Sequence, residues 1–201
     1  MIINFQQTEP ATRYHLLTQT VIPRPIAWVL SENSDASINL APFSFFNAMC
    51  SDPPLLALSI GKKPDGELKD TRRNLLDRRD CVVHIAHQQQ AVEVTASAAS
   101  LAYGDSEVKD LALVEFSGCS LPRLADCSVA YHCRFYDVHE LGPQQQAIIY
   151  LEVLNLYLSD DIVTALDQRY VIDAKAIDPL ARLGGASYAG LGEAFSVARP
   201  K

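Results

Sequence analysis

The chain has 201 residues, 48% of them hydrophobic and 20% charged, with a net charge of −7. A chain of this length reads as one domain spanning residues 1–201. It buries about 70% of its unfolded surface, which excludes disorder. The acidic balance argues against nucleic-acid binding, which needs a basic face, and suits a protein whose ligand is small. No stretch reaches the roughly 20 apolar residues of a membrane span. The longest candidate, Ala147 to Leu158, is interrupted by Glu152 and Asn155. The opening MIINFQQTEPATRYH lacks the basic and apolar regions of a secretory signal, which points to the cytoplasm.

Strand signals dominate in chain order. Val21 to Ser31 is apolar, with Pro23 and Pro25 confining its start to an edge or bend. A turn cluster at 32–37 precedes a second run, INLAPFSFFNAM, which SDPP at 51–54 stops. Leu55 to Gly61 is a short apolar run of strand length, and KDTRRNLLDR at 69–78 predicts a short polar helix anchored by Leu75 and Leu76. CVVHIAH at 81–87 reads as a strand, and residues 88–98, 105–112 and 161–168 are helix candidates. From Ser128 to Leu141 the pattern alternates, with Val129, Tyr131, Cys133 and Phe135 on one face and His132 and Arg134 on the other. GPQQQ then turns the chain into Ala147 to Leu158, the clearest hairpin. Strands outnumber helices, so a closed antiparallel barrel with peripheral helices is the expected architecture. Closure removes the exposed edges that long strands otherwise present.

Most chemical motifs fail on inspection. GKKPDG at 61–66 has phosphate-loop spacing, but Glu67 and Leu68 follow where Lys and a hydroxyl residue are needed. The glycines at 184, 185, 190 and 192 do not form a dinucleotide fingerprint. His84 and His87 fall on opposite faces of a strand, which argues against a shared metal, and Ser59 lies in SIG rather than in a nucleophile elbow. Five cysteines with no CxxC read as buried thiols, not a disulfide framework. Two features survive. The strand–loop–helix unit ending at Lys69, Asp70 and Thr71 offers orphan N–H groups, a cation and a hydroxyl at one point, a seat for a phosphate. The bland reading makes Asp70 or Thr71 simply the helix cap. The aromatic segment NLAPFSFFN at 39–47 can wall a planar heterocycle, or it is simply core.

Six blocks then occur in order: RPIAWV at 24–29, NLAPFSFFNAMCSDPP at 39–54, KDTRRNL at 69–75, VTASAASLAYGDSEV at 94–108, SVAYHCRFYDVHEL at 128–141 and PLARLGGASY at 179–188. Together they resemble the flavin reductase-like, FMN-binding split-barrel family, over about residues 14–188. The resemblance implies a mainly β fold: a six-stranded antiparallel Greek-key barrel with added helices. It implies a homodimer with FMN near the subunit interface. By position, Ser44, Phe46, Asn47 and Ala48 are expected to line the flavin ring, and Ser59 and Gly61 to lead to the phosphate. Lys69, Asp70 and Thr71 are expected to hold the phosphate. Arg24 and Trp28 are expected to flank the cofactor, and Arg182 and Tyr188 to close the groove. The implied function is an NAD(P)H-dependent flavin oxidoreductase passing electrons to a further acceptor or an oxygenase partner. FAD is left open beside FMN. The chemistry belongs to the flavin, so no catalytic side chain and no metal is expected. The alternative is a non-catalytic flavin carrier reduced by a partner protein. The chain departs from the family pattern at Ala36 (a turn glycine), His84 and Glu93 (asparagines) and His132 (a glutamate), which bears on substrate identity.

Overall fold

The computed structural model describes residues 1–99, 101, 105–108, 110–166 and 169–200. Seven strands form one antiparallel sheet: β1 (Ala27–Glu32), β2 (Ile38–Phe43), β3 (Phe46–Ser51), β4 (Pro54–Ile60), β5 (Asp80–Ile85), β6 (Val129–Leu141) and β7 (Gln146–Leu158). Their spatial order is β2-β1-β5-β6-β7-β4-β3, so the β6–β7 hairpin is inserted between β4 and β5 in Greek-key fashion. The two outermost strands, β2 and β3, are consecutive in the chain with only Ser44 and Phe45 between them. The sheet must therefore curl until its edges meet at that corner. Taken as one bent ribbon, Ile38–Ser51 reduces the seven strands to the six expected of the split barrel.

Alternation along the strands builds two cores. Ala27, Val29, Leu58, Ile60, Val83, Cys133, Ile149 and Leu151 meet inside the barrel. Trp28, Leu30, Val82 and Ala130 point the other way and pack under Val94, Phe116, Leu121 and Leu124 of the covering segments. β1 is thus buried on both faces, which is why its sequence reads as an uninterrupted apolar run. His84, near the end of β5, is fully buried between the strands. Its Nδ1–H donates to the Trp28 carbonyl (3.1 Å) and its Nε2 accepts from the Leu124 N–H (3.0 Å). Burial depresses its pKa to about 4, so the ring is neutral.

Four helices flank the sheet: α1 (Pro10–Thr20), α2 (Asp70–Asp77), α3 (Ala91–Ala96) and the single turn α4 (Ala174–Ile177). The predicted helices at 69–78 and 88–98 are present as α2 and as a short 3-10 turn leading into α3. The one at 161–168 is corrected: Val163–Leu166 pairs with Arg169–Ile172 as a small hairpin. A short apolar run with β-branched Val163 and Thr164 suits a strand as well as a helix. The described residues of 105–112 form turns. α1 carried no sequence signal because only Thr18 of its residues is buried. INLAPFSFFNAM is two strands rather than one. In the turn before β2, Ala36 keeps the left-handed backbone (φ 66°) that a glycine would adopt freely. Of the five thiols Cys81, Cys127 and Cys133 are buried, whereas Cys50 is exposed on the outermost strand.

Candidate functional site

The barrel's corner organises a groove. Pro42 lines all three of the adjoining hollows of 290, 370 and 250 Å³, with Ser44 in the first and third and Phe43 in the second and third. Each is near the lower end of the size range of small-molecule sites.

One end is built around α2. The helix buries a single leucine, Leu75, and is docked mainly by polar contacts. Asn39 Nδ2 reaches Thr71 Oγ1 (2.9 Å) and Ser31 Oγ (3.2 Å), and Asn74 Nδ2 reaches Ser31 Oγ (3.1 Å) and Asn33 Oδ1 (2.7 Å). Every member of this network is buried, so its bonds fix the helix axis against the β1–β2 hairpin. The residue opening the helix is Lys69, and no side chain caps it. This overturns the cap-only reading of Asp70 and Thr71 and leaves the first N–H groups of α2 facing the hollow. The Asp70 carboxylate is instead paired with Lys63 (2.9 Å). Lys69 Nζ lies 5.8 Å from the centre of the Phe43 ring, and partial desolvation lowers its pKa. Among the described residues it has no carboxylate partner. Lys62, bonded to the Gln145 side chain, adds a further cation. Opposing them is Glu107, whose Oε2 accepts from the Leu40 N–H (3.0 Å) and whose pKa is raised chiefly by burial. Ser59 and Gly61 join Lys69 in the adjoining hollow, where Gln146 Nε2 donates to Ser59 Oγ (2.9 Å). A Cβ on Gly61 would come within 2.9 Å of the Gln146 amide oxygen, so the bare backbone here keeps the floor open.

The other end brings together residues far apart in sequence. Arg24 and Pro25 pair with Ala181 and Arg182, which pair in turn with Tyr188 and Ala189. Arg24, only 6% exposed, donates Nη2 to the Leu183 carbonyl (2.8 Å), Nη1 to the Val21 carbonyl (2.8 Å) and Nε to Ser44 Oγ (3.4 Å). Arg182 stacks on Tyr188 (4.5 Å), whose hydroxyl is fixed by Thr95 Oγ1 (2.9 Å). Tyr14 and His15 of α1 complete the lining.

The expected residues therefore divide. Ser44, Ser59, Gly61, Lys69, Asp70, Thr71, Arg24, Arg182 and Tyr188 all face the groove. Phe46 and Asn47 lie past the bend on its outer flank, with Leu17 of α1 and Val21 just after it, and Ala48 lines none of these hollows. Trp28 is corrected. It is a fully buried core residue that touches the groove only by donating its indole N–H to Ser97 Oγ (2.8 Å) in the wall. Its place on β1, one residue out of phase with the barrel interior, points it beneath α3. His84, Glu93 and His132, the departures with a bearing on substrate, are absent from the lining residues. His132 accepts from Asn155 (3.1 Å) on the far side of the sheet. Tyr14, Gln146, Asn74 and Glu107 were missed from the sequence. Of these, Asn74 and Glu107 lie inside ordered blocks and so carried a signal. Among the described residues no His, Cys, Asp and Glu cluster could hold a metal, and no helix is long and apolar enough to cross a membrane.

Fold and groove together define a flavoprotein-type split barrel, and the comparisons agree: the chain belongs to the flavin reductase like domain family, which matches residues 19–174. The uncharacterized protein BH2278 of Halalkalibacterium halodurans is 35% identical over 206 residues, covering 100% of this chain and 97% of that protein. Nitrilotriacetate monooxygenase component B from Bacillus cereus superposes with a TM-score of 0.89 at 30% identity, covering 98% of each chain. The 2-nitrobenzoate 2-nitroreductase NbaA of Pseudomonas fluorescens superposes with a TM-score of 0.88 at 26% identity, covering 100% of this chain and 96% of that one.

Proposed function

We propose that this protein is an FMN-binding oxidoreductase that takes reducing equivalents from NADH or NADPH and passes them to a further acceptor. The carrying observation is the Lys69 ammonium at the uncapped start of α2, opening into a groove walled by Pro42, Phe43 and Ser44. An anionic tail and a planar ring suit those two surfaces in that order. Lys69, Lys62 and the N–H groups of Asp70 and Thr71 neutralise the phosphate. Thr71 lends its hydroxyl, held by Asn39. Pro42 and Phe43 exclude water from one side of the ring, while Ser44 and the Ser59–Gln146 pair present polar groups to its edge. When bound, FMN supplies the hydride-accepting chemistry, and the chain supplies orientation and charge rather than a nucleophile or general base.

The outer flank, where Phe45 is 38% and Met49 48% exposed, is the surface a second copy would cover in the homodimer that we propose. Sedimentation of the protein as a monomer at micromolar concentration would contradict the dimer. The reaction itself is tested anaerobically. FMN-loaded protein should lose its visible absorption band on adding NADH or NADPH. Retention of the band with both would leave the chain a flavin carrier served by a partner protein.

A further inference from the structure

Arg24 and Arg182 stand directly opposite each other in antiparallel register. Residues so paired project to the same side, and like charges there repel. No carboxylate among the described residues lining the hollow between them answers the two charges: the lining includes two guanidiniums and an imidazole but no aspartate or glutamate. Every side-chain hydrogen bond described for Arg24 and Arg182 goes to a neutral oxygen, that of Thr18, Val21, Leu183, Gly185 or Ser44. Arg24 is more than nine-tenths buried, so its charge lies where desolvation is expensive. Burial lowers its pKa, the nearby Tyr14 raises it in part, and the Arg182 charge lowers it again.

The fold holds this arrangement deliberately tight. Gly184 abuts α1 so closely that a Cβ would come within 2.5 Å of the Gln19 side chain, and Gly185 takes a positive φ of 60° in the same turn. The Tyr188 hydroxyl ties the stacked arginine to α3 through Thr95. A pair of uncompensated guanidiniums flanked by two tyrosine rings, Tyr14 and Tyr188, matches one ligand chemistry: a planar molecule carrying a carboxylate or phosphate.

We infer that this hollow is an anion subsite for the second substrate, separate from the flavin phosphate seat at Lys69, with Arg182 as the contacting cation and Arg24 as the buried charge behind it. The inference rests on the proposed flavin reading for what the anion is attached to. The anion is either the diphosphate of the nicotinamide donor or the carboxylate of an aromatic acceptor.

The test is calorimetry of the full chain, with and without saturating FMN, using benzoate against benzamide and ADP against adenosine. The anionic member of at least one pair should bind about tenfold tighter than its neutral counterpart. Selectivity for ADP assigns the subsite to the donor, and selectivity for benzoate assigns it to an acidic acceptor. Arg182→Gln should bring the ratio close to one. Arg182→Lys, which keeps the charge but not the paired geometry, should lower it severalfold and serves if the glutamine variant does not fold. Ratios near one in the unaltered protein, or a ratio that survives Arg182→Gln, would overturn the subsite. So would a loss of FMN affinity in Arg182→Gln with the ratio unchanged, since that gives the hollow to the flavin. Failure of FMN to bind, with charge selectivity intact, would instead remove the flavin reading and leave the subsite standing.

Discussion

The two ends of the groove carry the same sign of charge but are made differently. At the α2 end, positive groups come from one short stretch, residues 62–71, and part of their charge is answered within it by Asp70 and nearby by Glu107. At the opposite end, Arg24 and Arg182 come from distant segments, and among the described residues no carboxylate answers them. The first end is a helix terminus docked by a buried polar network. The second is a like-charged strand pair held by α1, a glycine turn and α3. The lesson is that a local seat can be tuned charge by charge, whereas the remote one is all or nothing.

Changes at each part of the groove separate the two. The largest expected effect lies outside the groove, at the buried His84 of β5. His84 is neutral in the fold with a pKa near 4, below the value of about 6.5 it has when unfolded. Stability tied to it is complete above pH 6.5 and is lost as pH falls toward 4, by about 3 kcal/mol. Urea unfolding at pH 7 and pH 4.5 should show that loss, and His84→Asn should flatten it. A Lys69→Ala variant should weaken FMN binding by about tenfold or more, the worth of a charge-assisted hydrogen bond, without affecting benzoate selectivity. Fluorescence quenching of FMN measures the first and calorimetry the second. Equal damage to both would merge the two ends into one site.

Smaller effects sharpen the contrast. Glu107 opposes an anion at the α2 end, and its raised pKa means it sheds its charge at higher pH than a usual glutamate as acid is added. Glu107→Gln should therefore tighten FMN binding severalfold at pH 8, with the gain shrinking as the pH is lowered and no counterpart at the arginine end. Ala36→Gly relieves a left-handed alanine in a turn that lines neither end. It should raise stability by about 1 kcal/mol in thermal unfolding and leave both affinities alone.

The same contrast explains what could be read in advance. Strand, loop and helix at 55–78 are contiguous, so the unit that brings Lys69, Asp70 and Thr71 to one helix start was legible by spacing, and the hairpin of β6 and β7 by alternation. The roles of individual side chains were less visible. Whether Asp70 caps the helix or pairs with Lys63 depends on a three-dimensional choice between equally near partners. The arginine end was legible only as two separate blocks, because the register Arg24 to Arg182 is a tertiary fact. α1 hid because it presents no apolar stripe, and Trp28 misled because its block promised a ligand contact while β1 is buried on both faces.

The seat at α2 is best examined by titrating the protein and its Lys69→Ala variant with FMN and with riboflavin, which lacks the phosphate. FMN should bind the unaltered protein at least about tenfold tighter than riboflavin, and the difference should collapse in the variant. Equal affinity for the two flavins, or an FMN preference that persists without the lysine, would contradict a phosphate held at that helix.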